Sequence, residues 1–170
     1  LPTADLIVVL YVPLRRRDGS VCAWAKVDAA DAPLVTPYRW HLDGDGYARR
    51  SIPGGPYRQR ALLLHRALLG LRDGDPRQGD HRNRNRLDSR RSNLRIVTHA
   101  QNGQNRCGHS ATTSEHRGVS LHRLTGKWQA NATLNRRRYY LGLFDDEDTA
   151  AAAVAAWRRE HMPFSEEVAP

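Results

Sequence analysis

Asp80 and His81 are adjacent in the chain, Asn93 follows His81 by 12 positions, and Asn102 follows Asn93 by 9. A carboxylate and a side-chain amide oxygen are hard ligands. They suit one octahedral Mg²⁺ (or Mn²⁺) that keeps several waters and takes a phosphate oxygen. An imidazole beside them, with an unperturbed pKa of about 6.5, can take a proton from water at neutral pH. A loop amide such as Asn93 can accept the second imidazole N–H and set the tautomer. Asp80 and Asn102 as metal ligands, His81 as general base and Asn93 as its orienter are the parts for metal-assisted phosphodiester hydrolysis. A general base supplies only about 10² to 10⁴ in rate, against total accelerations of roughly 10⁶ to 10¹⁷. The metal must therefore carry the larger share. Taken by composition alone, the four residues read first as a solvated Asp-His turn and as amides that shape loops and cap helices.

The elements around these residues follow from local pattern. Asp80 and His81 lie in an extended segment, followed by a long polar loop. "LRIVT" (Leu94 to Thr98) is a β-type run. Thr98 and Gln101 have capping-box spacing, so a short helix is predicted to start at His99, with Asn102 and Asn105 on one face. Upstream, "RQRALLLHRALLGL" has helical composition and Gly70 as its stop. "VCAWAKVD" (Val21 to Asp28) alternates as a strand, and "WHLDGDGYARRSI" reads as a hairpin turning at Asp43–Gly46. His65, among leucines, reads as a packed histidine, and His99 and His109 are near enough to be alternative ligands. Beyond the polar linker at 107–116, "RGVSLH", "KWQANATL" and "RYYLGLF" form three short strands at meander spacing. Asp145 is the expected cap of a helix, "DEDTAAAAVAAWRREH", that places Ala150, Val154 and Trp157 on one face.

Charge is unevenly distributed. The 170 residues carry a net +9; residues 76–106 hold 8 Arg against 2 Asp, and residues 114–144 hold 6 basic side chains against 1 acidic. Two basic blocks imply polyanion-facing surfaces. Arg outnumbers Lys 25 to 2, which fits guanidinium gripping of phosphate but is more simply read as a GC-rich coding bias, which the many Ala also suit. The longest apolar run, "LIVVLYVPL", has 9 residues, too short to span a bilayer, so no membrane partner is expected. Cys22 and Cys107 form no CxxC pair, which argues against zinc and against a disulfide scaffold. The chain opens on Leu1 and not on Met, leaving room for a preceding segment.

The order and spacing in "GDHRNRNRLDSRRSNLRIVTHAQNGQNR" closely resemble the core of HNH endonucleases, especially phage and intron homing enzymes of the H-N-N branch. "LHRALLG" and the surroundings of Trp40 and Tyr47 are similar to that family's lead-in. The resemblance implies a ββα-metal fold with Asp80 and Asn102 at the metal, His81 as base and Asn93 orienting it. Ser89 stands where many relatives have Asn, and Arg84 where some have Gly.

"HRGVSLHRLTGKWQANATLNRRRYYLGLFDDEDTAAAAVAAW" is similar to the Apetala-type DNA-binding domain of plant ethylene-response factors. That resemblance implies a three-stranded antiparallel sheet in the DNA major groove with a helix behind. Alternation independently turns Trp128, Ala130 and Ala132 toward the helix, and Gln129, Asn131 and Thr133 outward. Matching positions add Arg117, Ser120, His122, Arg138 and Tyr140, while Arg136 and Arg137 suit phosphate anchoring. Plant members carry more Arg and Glu where Ser120, Asn131 and Thr133 stand, so their base preference does not transfer.

The expectation is an α+β chain: an N-terminal ββα-metal (HNH) core joined to a three-stranded sheet and helix module. Its parts are a β-rich lead-in at 1–58, the nuclease core at 59–106, a linker at 107–116, the DNA-binding domain at 117–161 and a tail at 162–170. The expected activity is homing-like hydrolysis of double-stranded DNA by a monomer or weak dimer. It would use one Mg²⁺, no zinc and no small-molecule cofactor, in the cytoplasm of a bacterial cell, from a phage or mobile element. The alternatives are a non-catalytic DNA-binding regulator with a relic core, and an RNA-binding protein. The latter is disfavoured because the sheet lacks an exposed aromatic pair for stacking single-stranded bases.

Overall fold

A computed structural model describes residues 8–53, 59–105 and 113–165. The architecture is α+β, with several small sheets, divided into two compact units between His99 and Ala100.

In the first unit, β1 (Val9–Arg15) and β2 (Val21–Asp28) form an antiparallel hairpin. Its alternation sends Val12, Leu14, Ala25 and Val27 into the core and leaves Tyr11 and Trp24 exposed. A 3₁₀ turn (Ala29–Asp31) and α1 (Ala32–Val35) lead to Trp40, whose indole N–H donates to the Val35 carbonyl at 2.9 Å within the core. The expected hairpin is present as β3 (His41–Leu42) and β4 (Ala48–Pro53). The Asp43 carboxylate closes its turn by accepting the N–H groups of Asp45 and Tyr47 at 3.0 and 2.8 Å.

The helix predicted from "RQRALLLHRALLGL" is only half present. Gln59–Leu63 is a strand, β5, that pairs along β4, and only α2 (Leu64–Leu68) is helical. Composition favoured helix, but three consecutive leucines carry no period, and the ladder offered by β4 overrides the weak propensity. Gly70 ends the helix at φ 67°, as expected. Leu64, Leu68 and Leu94 complete the core. β6 (Gln78–His81) and β7 (Leu94–Val97) then pair antiparallel, and α3 (His99–Gln104) begins where the sequence places it.

In the second unit, β8 (Val119–His122), β9 (Lys127–Leu134) and β10 (Arg137–Phe144) form the expected antiparallel sheet in the order β10-β9-β8. It is backed by α4 (Glu147–His161). Ala150 and Val154 pack on Val119 and Ala130, and Trp157 lies against Tyr139 at 4.8 Å between ring centroids. The cap is Asp146, not Asp145. Asp146 accepts the Thr149 N–H at 2.7 Å, whereas Asp145 pairs with Lys127. Among the described residues no helix is long and apolar enough to cross a membrane.

Candidate functional site

Strand pairing sets Asp80 opposite Arg95 and His81 opposite Leu94. Arg95 donates through Nε to Asp80 Oδ2 at 2.8 Å, with Nη2 at 2.7 Å from the same oxygen, and both residues are about 8% exposed. Each charge offsets the other's desolvation. Arg95 was not expected at the site, yet opposite charges on two strands joined as a hairpin are a usable signal.

His81 is buried, and burial pushes its imidazole down to about 4, against the opposing pull of Asp80 and Asp88 and with a smaller push from Arg86. At neutral pH it is therefore a neutral imidazole with an unprotonated ring nitrogen, and a weaker base than an exposed histidine. Its Nε2 lies 3.4 Å from the Ser89 hydroxyl, which is itself buried. His65 meets His81 edge-on at 4.8 Å, and Tyr47 stands 5.4 and 6.0 Å from the two rings. Burial, followed by the charges of His81 and Arg66, lowers His65 to about 3. This packed state matches the structural role read for His65. A Cβ on Gly79 would lie 2.6 Å from His65 Cδ2, so glycine is what lets the ring sit against β6 beside Asp80.

Asn93 is buried in the same unit, but its amide bonds go to the loop between β6 and β7. Its Oδ1 accepts the Asn83 N–H at 2.9 Å, and its Nδ2 donates to Asn83 Oδ1 at 2.9 Å and to the Asp88 carbonyl at 2.6 Å. Asp88 is gripped by Arg90 at 2.7 and 2.6 Å, which holds its carboxyl below the usual range. The loop docks on β2 through Lys26 N–H to the Leu87 carbonyl and Ser89 N–H to the Lys26 carbonyl, at 2.7 and 2.8 Å. Asn93 thus shapes the loop that brings Ser89 to His81. Asn102 is half-buried on α3 and belongs to the second unit, so the first unit by itself assembles Asp80, His81 and Asn93. His99 lies in the first unit, where its Nδ1 is 3.1 Å from the Gln78 amide; His109 lies outside the described residues.

Among the described residues there is no cluster of three or more His, Cys, Asp or Glu able to hold a metal. The carboxylate next to His81 in the chain is that of Asp80, a hard oxygen donor whose Oδ2 is engaged by Arg95.

In the second unit, Ser120, His122, Gln129, Asn131, Thr133, Arg138 and Tyr140 share the sheet face away from α4, by register. They differ in availability. Tyr140 is 60% exposed, and Thr133, Arg136, Arg137 and Arg138 are exposed. Asn131 is buried, and its Oδ1 accepts Arg138 Nε at 3.1 Å, fixing the direction of that guanidinium. Gly118 makes this packing feasible, since a Cβ there would lie 2.3 Å from the Asn131 carbonyl oxygen. His122 Nδ1 is 2.8 Å from the Thr125 hydroxyl. Arg117 donates to the Gln104 and Gly103 carbonyls at 2.8 and 3.3 Å, where a cation suits the negative end of α3. Asn135 and Arg136 form the hairpin tip with φ of 51° and 65°, and Arg137 lies over Tyr139. Leu143, opposite Gln129, is an apolar member of this face that sequence reasoning passed over.

Comparisons with protein-family models, curated proteins and solved structures found no match to this chain.

Proposed function

We propose that this chain is an HNH-type, homing-like DNA endonuclease that hydrolyses phosphodiester bonds with one divalent metal and His81 as general base. The observation that carries the reading is the adjacency of a buried Asp80 and a neutral His81 at the end of β6, followed by a loop closed by Asn93. The order β6, loop, β7, α3 is the order a ββα-metal motif requires.

In this reading Asp80 would hold the metal, which when bound would supply charge stabilisation at the phosphate and leaving oxygen. His81 takes the proton of the attacking water, and its burial keeps the accepting nitrogen unprotonated. Ser89 and the edge of His65 hold the ring. Asn93 acts through the loop. The sheet of the second unit binds duplex DNA, with Arg136 and Arg137 on phosphates and Arg138 and Tyr140 facing the groove. One such site cuts one strand, so a monomer nicks.

The test is conversion of supercoiled plasmid to the open circle with Mg²⁺, and its absence with EDTA. A second reading, a DNA-binding regulator with a relic core, has one observation in its favour: Asp80 is engaged by Arg95 in a buried ion pair. Duplex binding without metal-dependent nicking would establish that reading instead.

A further inference from the structure

The first unit contains a groove of about 560 Å³ for which cleavage chemistry has no use. Tyr11 and Tyr38, 53% and 46% exposed, line it together with Arg15, Arg39 and the buried Trp40. Arg50 lies over the Tyr38 ring at 3.7 Å and the Trp40 ring at 5.8 Å. Tyr11 and Tyr38 border the same groove and are not isolated surface rings, which is the arrangement of a ligand-binding surface. The rim chemistry supplies the occupant. Arg15 donates to the Gly19 carbonyl and Arg39 to the Arg16 carbonyl, both at 2.9 Å, so each guanidinium meets a backbone oxygen and not a carboxylate. The adjoining turn, residues 15–20, carries three Arg and only Asp18, which is engaged by Ser20. Flat aromatic surface edged by cations is the complement of a base with its phosphate.

A peptide strand added to β1 is a poorer fit. The Arg15 N–H already points to the Trp40 carbonyl, and alternation puts Pro13, which lacks an N–H, on that same edge. An added strand would lose a ladder bond there.

We propose that this groove binds an unpaired nucleotide of a DNA strand, with the base against Tyr11 and Tyr38 and the phosphate at Arg15 and Arg39. The inference does not depend on cleavage and is read by binding. The probe is a short oligo(dT) carrying one 5-iododeoxyuridine, titrated by anisotropy and photo-crosslinked to the full chain, with dTMP as the free-nucleotide arm. Crosslinks are expected in peptides bearing Tyr11 or Tyr38. Tyr11→Ala and Tyr38→Ala should each weaken oligo(dT) binding at least about fivefold, the low end for base–aromatic stacking. Tyr38→Phe should bind like the parent, and duplex affinity should stay unchanged in all three. Crosslinks confined to 113–165, equal affinity in Tyr38→Ala and Tyr38→Phe, or dTMP binding as tightly as the oligonucleotide would each overturn the proposal.

Discussion

The β6–β7 region of the first unit and the outer sheet face of the second are both rich in Arg and Asn, but they treat those side chains in opposite ways. Around His81 the polar groups are buried or half-buried and bonded to each other: Arg95 to Asp80, Arg90 to Asp88, Asn93 to the loop. On the sheet, Arg136, Arg137, Arg138 and Tyr140 face solvent, and only Asn131 is withdrawn to aim a neighbour. A reacting group must be desolvated and fixed before substrate arrives. A recognition group must be exposed, with its partner supplied by DNA. Under the proposed function the same residue types would serve two purposes, separated by burial.

The contrast can be broken most forcefully at Arg95. Arg95→Met takes the cation away from a buried carboxylate and should cost about 3–5 kcal/mol, read in urea unfolding of the full chain. Adding Asp80→Leu should recover most of that loss, as an apolar pair replaces an ionic one. If Arg95→Met alone is neutral, the pair is not desolvated and the first half of the comparison fails.

Acid should act on the same region. Both His65 and His81 have folded pKa values lowered by burial, so between the unfolded value of about 6.5 and their folded values of about 3 and about 4 the unfolded chain binds more protons. Stability is complete above the unfolded pKa and falls as pH drops from about 6.5 toward 4. The slope is at most about 1.4 kcal/mol per pH unit for each histidine. Melting temperatures across that range check this, and His65→Gln should flatten the slope.

On the sheet, Arg138→Ala should weaken duplex binding by about 1–3 kcal/mol, as for a groove-facing guanidinium. Asn131→Ala should lose a smaller part of the same energy, and the double variant should lose no more than Arg138→Ala. Additive losses would mean that Asn131 does not work through Arg138. The smallest effect has two signs. Arg136→Gly should relieve a left-handed non-glycine residue and raise stability by up to about 1 kcal/mol. It should also lower the salt slope of DNA binding by about 1, the mark of a lost phosphate contact.

Much of this organisation is legible in residue order. The strands carrying Asp80 and Leu94, the start of α3, the turn at Asp43 and the three strands of the second unit follow from alternation and turn residues. What is not legible is long-range pairing. β5 looks helical because nothing within "RQRALLL" announces that β4 lies beside it. Arg95 appears as one more basic residue until register sets it opposite Asp80. Residue type suggests that Asn93 holds the imidazole, but it closes the loop instead: its Oδ1 accepts the Asn83 backbone N–H and its Nδ2 donates to Asn83 Oδ1, both at 2.9 Å. Arg117 was read as facing DNA, and the carbonyls at the end of α3 engage it.

The central claim is that a neutral, fixed His81 performs proton transfer while a separate face binds DNA. The most direct measurement compares His81→Ala with the parent chain for Mg²⁺-dependent plasmid nicking and for duplex affinity in the same buffer. The account predicts a fall in nicking of about 10² to 10⁴, with affinity within twofold of the parent. Nicking that survives the substitution, or affinity that falls in step with it, would contradict it.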